Sequence, residues 1–275
     1  MPGGCTDSSK GRLIIRPGAI GDTILGFPAM EHLAADGPTE IWVRSEILPL
    51  VRFADRVRAI SATGIDLLGI PGVDPPAGLV SELGSFREIV SWYGANRPEC
   101  REALGSFCKN VRFLEALPPG GAAHAADFFM GQVGGRLPAT PQIEAGPVER
   151  RPTVVVHPFS GSAGKNWPYE RFRELERWYP VEWAAERDWV RFENLMELAR
   201  WMAGARVYVG NDSGITHLAA AAGARVIALF GPSDPGIWGP RGKAVQIVRA
   251  RSMAEISMAM VRSAIDRELA QAARD

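Results

Sequence analysis

The feature that most constrains this chain is a rhythm that runs twice. Short β-branched stretches alternate with longer helical patterns over residues 13–133, lapse across a proline- and glycine-rich stretch at 134–152, and then resume. Alternation of this kind predicts βαβ units and parallel sheets. A Pro/Gly-rich break between two such runs predicts two α/β halves and a linker. We place the halves at 1–147 and 148–275. In the first, strands are expected at 13–15, 40–44, 57–60, 88–92 and 111–114, with helices near 23–35, 46–53, 77–83, 98–106 and 122–133. In the second, strands are expected at 153–157, 181–184, 206–209, 226–230 and 245–248, with helices at 169–178, 193–203, 214–222 and 253–272.

Composition narrows the function classes. With 275 residues and 46% hydrophobic content the chain has enough apolar surface for real cores, which excludes intrinsic disorder. Lys plus Arg equals Asp plus Glu at 31 each, so no global charge draws it to nucleic acid or to an anionic membrane. Any polyanion site must be local. Three cysteines (Cys5, Cys100, Cys108) without CxxC spacing fit neither a disulfide scaffold nor a zinc cluster and suit a reducing compartment. The polar start, 1–11, is expected to be a disordered leader rather than a signal peptide, and no apolar run approaches the ~18 residues of a membrane span. The expectation is a cytoplasmic protein, a monomer, with at most weak peripheral association at the inner face of the plasma membrane through arginines of the terminal helix. Only four of the 31 cations are lysine, at 10, 109, 165 and 243, which makes each lysine worth inspecting.

Open parallel sheets bind ligands beyond the carboxyl ends of their strands. After the first strand comes Arg16-Pro17-Gly18-Ala19-Ile20-Gly21-Asp22, where Gly18 and Gly21 permit a tight turn and a close backbone approach. It is not GxGxxG. Asp22 suits a helix N-cap or first-turn acid, or a general base. The second half's first strand runs into His157-Pro158-Phe159-Ser160-Gly161-Ser162-Ala163-Gly164-Lys165-Asn166-Trp167-Pro168. Backbone donors, the Ser160 and Ser162 hydroxyls and one point cation, Lys165, are what a phosphate loop needs, although Asn166 after the lysine rules out a Walker A sequence. A flexible loop with an exposed lysine is the competing reading. Later, Asn211-Asp212-Ser213-Gly214-Ile215-Thr216-His217 predicts a helix starting near Ser213 with unpaired N–H groups and a positive dipole end, a natural seat for a diphosphate. His217 lies one turn in, on the same face, as a packed residue or a ligand contact. Asp234, in Phe230-Gly231-Pro232-Ser233-Asp234-Pro235, is expected to be structural.

Taken together and in order, Arg16…Gly21-Asp22, Lys165-Asn166-Trp167-Pro168, Asp212-Ser213-Gly214…His217 and Phe230-Gly231-Pro232…Pro235 resemble glycosyltransferase family 9, the ADP-heptose:lipopolysaccharide heptosyltransferases and their relatives. The resemblance implies an α/β GT-B fold, two Rossmann-like domains facing a central cleft, with the acceptor on the N-terminal domain and the nucleotide-sugar donor on the C-terminal one. It implies that Asp22 is the catalytic base and that Gly18 and Gly21 form a loop near the acceptor. Ser160, Ser162, Lys165, Asp212, Ser213, Gly214, Ile215 and His217 would bind the donor, and Glu186 is the match for the acid that contacts ribose. The implied reaction is an inverting transfer of a sugar, heptose, from an ADP-linked donor to a glycan or lipid-linked glycan acceptor. No Asp-x-Asp occurs, and Lys165 with the helix start at Ser213 can neutralise the leaving diphosphate, so neither a metal nor another cofactor is expected. The alternatives are a UDP- or GDP-sugar donor, suggested by Trp183-Ala184-Ala185-Glu186-Arg187-Asp188 in place of a glycine-rich turn, and a catalytically silent nucleotide or glycan binder. The terminal helix is expected to pack, in the manner of GT-B proteins, back on the first domain.

Overall fold

The structure is a computed structural model that describes residues 10–121, 123–184 and 192–274. In chain order the elements are β1 (Lys10–Arg16), α1 (Ile20–Leu25), α2 (Phe27–Ala34), β2 (Thr39–Val43), β3 (Arg56–Ala59), α3 (Ala77–Gly84), β4 (Phe86–Ser91), α4 (Pro98–Phe107), β5 (Val111–Phe113) and α5 (Ala125–Gln132). They continue with β6 (Val154–His157), α6 (Tyr169–Glu174), β7 (Val181–Trp183), α7 (Leu195–Ala203), β8 (Val207–Asn211), α8 (Gly214–Ala221), β9 (Arg225–Phe230), α9 (Pro235–Trp238), β10 (Ala244–Arg249) and α10 (Met258–Ala272).

Two five-stranded sheets result, ordered β3-β2-β1-β4-β5 and β10-β9-β8-β6-β7, and every neighbouring pair is parallel. The first is the Rossmann order and the second the flavodoxin-like order, so each has a switch point where the chain reverses its direction across the sheet. In the first sheet that point lies between β1 and β4. In the second it lies between β6 and β8. The central strands are buried on both faces, as parallel strands must be: Leu13, Ile14 and Ile15, and Val154, Val155 and Val156, are at most 1% exposed.

By contact density the chain forms two units. One comprises residues 1–18 and 29–118, the other 19–28 and 119–275. Residues 119–147 thus group with the second sheet, for reasons visible in their contacts. Asp127 in α5 accepts from both terminal nitrogens of Arg241 at 2.6 Å, and Ile143 N donates to Ala221 O at 2.9 Å. The core of the first unit gathers Leu13, Ile15, Trp42, Leu83, Ile89 and Leu104. The core of the second gathers Val154, Val156, Trp167, Phe172, Val209 and Ile227 with Val261, Ala264 and Ile265 of α10. The terminal helix therefore packs against β8, β9 and β10 of its own unit.

Several expected elements are modified by proline and capping. The helix expected over 23–35 begins at Ile20 and breaks at Gly26, two residues before Pro28, which has no N–H to continue it. The helix at 46–53 is a 3-10 segment, Ser45–Leu50, with Pro49 inside it. Helix 169–178 ends as α6 and a 3-10 turn, and helix 253–272 is a 3-10 turn followed by α10, capped by Ser257. Lys10 and Gly11, expected in the leader, belong to β1.

Candidate functional site

The second switch point is built by one asparagine. Asn211, fully buried at the end of β8, donates through Nδ2 to Pro158 O at 2.6 Å and accepts from Trp167 N at 3.0 Å. This clamps both ends of the loop that follows β6 onto the end of β8. Trp167 is anchored in turn by its indole N–H to Ile256 O at 2.8 Å. Between the clamps the loop turns through a 3-10 segment, Ala163–Lys165, and Lys165 Nζ reaches Asp212 Oδ2 at 2.7 Å. The same oxygen accepts from Ser233 Oγ at 2.5 Å, from the loop after β9. Three strand ends therefore converge on one carboxylate, which is only 6% exposed while the ammonium is 37% exposed.

Next to it α8 begins. Ser213 caps it, accepting from Thr216 N, while Thr216 Oγ1 donates to Asn211 O and lies 3.1 Å from Tyr208 OH. The N–H groups of Gly214 and Ile215 have no acceptor among the described residues. They are the first donors of a helix, where the dipole favours an anion. His217, 6% exposed, has a buried Nδ1 without a hydrogen-bond partner. Burial lowers its pKa below the usual imidazole value, with Asp212 opposing and His124 and Lys165 adding to the fall, so the ring is neutral at pH 7.

Helix α1 crosses this helix at a pair of glycines. A Cβ on Gly214 would come within 2.8 Å of Ile20 Cβ and 3.0 Å of Gly21 N, and one on Gly21 within 3.0 Å of the His217 ring. Gly21 is thus required for the approach of α1 to α8, and Asp22 follows it in the first turn of α1. Asp22 is not the N-cap: Ala19 holds that position, with no side-chain cap.

Residues 193–264 match glycosyltransferase family 9 (heptosyltransferase). Lipopolysaccharide heptosyltransferase 1 of Escherichia coli K12 is 32% identical over 108 residues, 31% of this chain and 34% of the relative. The match spans about a third of that relative's length. The E. coli structure titled ADP-heptose lps heptosyltransferase II superposes with TM-score 0.71 at 16% identity, over 95% of this chain and 99% of the other. TibC of enterotoxigenic E. coli H10407, titled a bacterial iron-containing dodecameric glycosyltransferase, gives 0.54 at 15%, over 88% and 62%. Over the matched residues the chain is similar to the glycosyltransferase family 9 heptosyltransferases.

The fold is GT-B, as in the heptosyltransferases it superposes on. Of the expected donor residues, Lys165, Asp212, Ser213, Gly214, Ile215 and His217 come together at the end of β8. Ser160 is turned to its own loop, with Oγ 2.8 Å from Ser162 O and 2.7 Å from Asn166 Oδ1, so its hydroxyl shapes the turn. Ser162 is exposed beside it, and Glu186 lies outside the described residues. Asp234 is structural, capping α9 through Gly236 N at 3.0 Å.

Sequence reasoning missed Asn211, Ser233 and His124. The first two sit beside residues that were singled out, and only the fold shows where their side chains turn. His124 caps α5 through Ala126 N, holds Gly239 O at 2.8 Å and bears electrostatically on His217. Nothing in the spacing of residues 124 and 217 signals that proximity. Among the described residues no group of three or more His, Cys, Asp or Glu could hold a metal ion, and no helix is long and apolar enough to cross a membrane.

Proposed function

We propose that this chain is an inverting glycosyltransferase that moves heptose from ADP-heptose to a glycan or lipid-linked glycan acceptor of the lipopolysaccharide type. The observation that carries the reading is the convergence of Lys165, Ser233 and the start of α8 on Asp212 at the carboxyl edge of the second sheet. A leaving nucleoside diphosphate needs donors fixed before its charge develops. The free N–H groups of Gly214 and Ile215 and the remaining ammonium protons of Lys165 supply them, and Asp212 holds that ammonium in place while facing the donor sugar. Neutral His217 offers a hydrogen bond without adding charge. Asp22 takes the proton of the acceptor hydroxyl. That oxygen then bonds to the anomeric carbon from the face opposite the nucleotide, and the bond from that carbon to the diphosphate oxygen breaks. Acid–base assistance of this kind contributes roughly 10²–10⁴-fold.

The reaction so written needs no metal, and the chain acts as a cytoplasmic monomer that meets its acceptor at the inner face of the plasma membrane. TibC, titled iron-containing and dodecameric, makes both points worth testing.

The experiment is transfer of heptose from ADP-heptose to a lipopolysaccharide-type acceptor, run with a chelator and with UDP- and GDP-linked donors for comparison. Transfer from ADP-heptose in chelator is expected, and Asp22→Asn should lose roughly 10²–10⁴-fold in turnover at unchanged ADP affinity. Full turnover in that variant removes the base assignment. Thermal stabilisation by ADP without transfer or donor hydrolysis would favour the silent binder.

A further inference from the structure

A cavity of about 530 Å³ opens in the second unit, lined by Arg150, Arg151, Pro152, Gly204, Ala205, Arg206, Arg225 and Ala272. It sits where β6, β8 and β9 begin, since Pro152, Arg206 and Arg225 lie at or just before their first residues. In parallel strands this is the edge opposite the one that carries Asp212 and Lys165, so the pocket is no part of the site described above. Four of its eight lining residues are arginines, in a chain with no net charge.

Two of the four are matched by acids. Arg151 Nε lies 2.9 Å from Glu182 and Arg225 lies 3.3 Å from Glu268. Arg150 and Arg151 also each give one N–H to the last turn of α7, at Ala203 O and Trp201 O, 3.1 and 2.8 Å away. Capping a helix end explains those contacts and no more, because a guanidinium carries five donors. Arg206 has no hydrogen-bond or ion-pair partner for its side chain among the described residues. Two positive charges, those of Arg150 and Arg206, are thus left over in a cavity whose volume falls in the range of small-molecule sites.

We propose that this pocket is a second anion site, for a phosphate-bearing group with at least two negative charges, either a free phosphorylated small molecule or a phospholipid headgroup. Planar guanidinium forks match phosphate oxygens two at a time, which a lysine cannot do. The surplus of two charges sets the preference for a dianion over a monoanion such as chloride or acetate.

The test titrates inorganic pyrophosphate into the full chain carrying Lys165→Ala, so that binding near Asp212 is weakened. Saturable binding is expected, falling as salt is raised. Arg206→Gln or Arg150→Gln should each lower the affinity roughly tenfold, the loss of one charge-assisted contact. Arg150 is exposed and Arg206 half-buried, and unchanged melting curves confirm that the variants fold. In a parallel arm the chain is floated with phosphatidylcholine vesicles with and without phosphatidic acid. Retention only with phosphatidic acid, lost in the arginine variants, assigns the phosphate to a lipid; pyrophosphate binding without retention assigns it to a soluble molecule. Affinity indifferent to both arginine variants, or no binding to either probe, overturns the proposal. If wild type and Lys165→Ala bind pyrophosphate alike, the donor reading suffers while the arginine result stands.

Discussion

The two sheets share a strand count and a parallel layout, yet they treat buried charge in opposite ways. In the first, Arg12 and Glu88 face each other across β1 and β4 at 2.7 Å, both under 10% exposed as residues, and Arg12 also donates to Leu33 O. Glu40 on β2 accepts from Trp42 Nε1 at 2.7 Å and faces Arg58, which itself pairs with Glu82 at 2.7 Å. These networks close on themselves, as burial of charge requires. At the end of β8 the arrangement stays open: Lys165 keeps ammonium protons unspent, and among the described residues two helix N–H groups have no acceptor and His217 Nδ1 has no partner. Two other orphaned buried atoms among the described residues sit on the same kind of edge, His157 Nδ1 at the end of β6 and Trp92 Nε1 just past β4, whereas Thr153 Oγ1 lies just before β6 and Arg262 Nε in α10. Closed charge networks hold strands together, and on the proposed reading the open one at the end of β8 takes the donor.

The strongest way to break this contrast is to open a closed network. Glu88→Gln leaves the Arg12 guanidinium buried without its counter-charge, and loss of one partner in such a pair costs about 3 kcal/mol. Urea unfolding should show that loss, with turnover per folded molecule unchanged below the transition. A comparable fall in turnover would mean that the first sheet's charges take part in the chemistry.

Most of the fold was legible because its signals are local. Runs such as Val154-Val155-Val156 bounded by turn residues can only be buried strands, and Ser213 before an alanine-rich stretch marks its own cap. The helix break at Gly26 and the 3-10 turn at Pro49 were missed because apolar periodicity continues across both while proline chemistry interrupts the backbone. The site was half legible for a related reason. Lys165 and Asp212 stand out as residue types at strand ends, but their 2.7 Å contact and the Ser233 hydroxyl depend on the strand order β9-β8-β6, a tertiary fact. The acceptor side remains a matter of family resemblance, since no motif in residues 29–118 names a substrate.

Acidity separates the two regions next. Burial pushes His157 down to about 4, and it lowers His217 and His124 as well, all three in the second unit. A histidine whose folded pKa lies below its unfolded value of 6.5 binds its proton more readily when unfolded. Stability is therefore constant above pH 6.5 and lost as pH falls from there, and for His157 and His217 the loss runs toward pH 4 at about 1.4 kcal/mol per pH unit each. At pH 5 His157 alone should cost about 2 kcal/mol. Denaturation midpoints measured from pH 7.5 to 4.5 should slope in this sense, and His157→Gln should flatten the slope; an unchanged slope in that variant would show that the His157 ring is not the one that titrates.

The smallest effect is the most discriminating. Lys165 shares its charge with Asp212 and is 37% exposed, so it offers an incoming diphosphate less than an isolated buried cation would. Lys165→Ala is expected to weaken ADP binding about tenfold, or about 1.4 kcal/mol, by calorimetry, while the melting temperature falls less than in Glu88→Gln, because the ammonium is partly solvated and Ser233 still donates to the Asp212 carboxylate. The opposite pattern, a lower melting temperature at unchanged ADP affinity, would make the Lys165–Asp212 contact a structural pair of the Arg12–Glu88 kind. The carboxyl edge of β8 would then have to hold a phosphate by its helix N–H groups alone, and the contrast between open and closed networks would rest on His217 and those two amides.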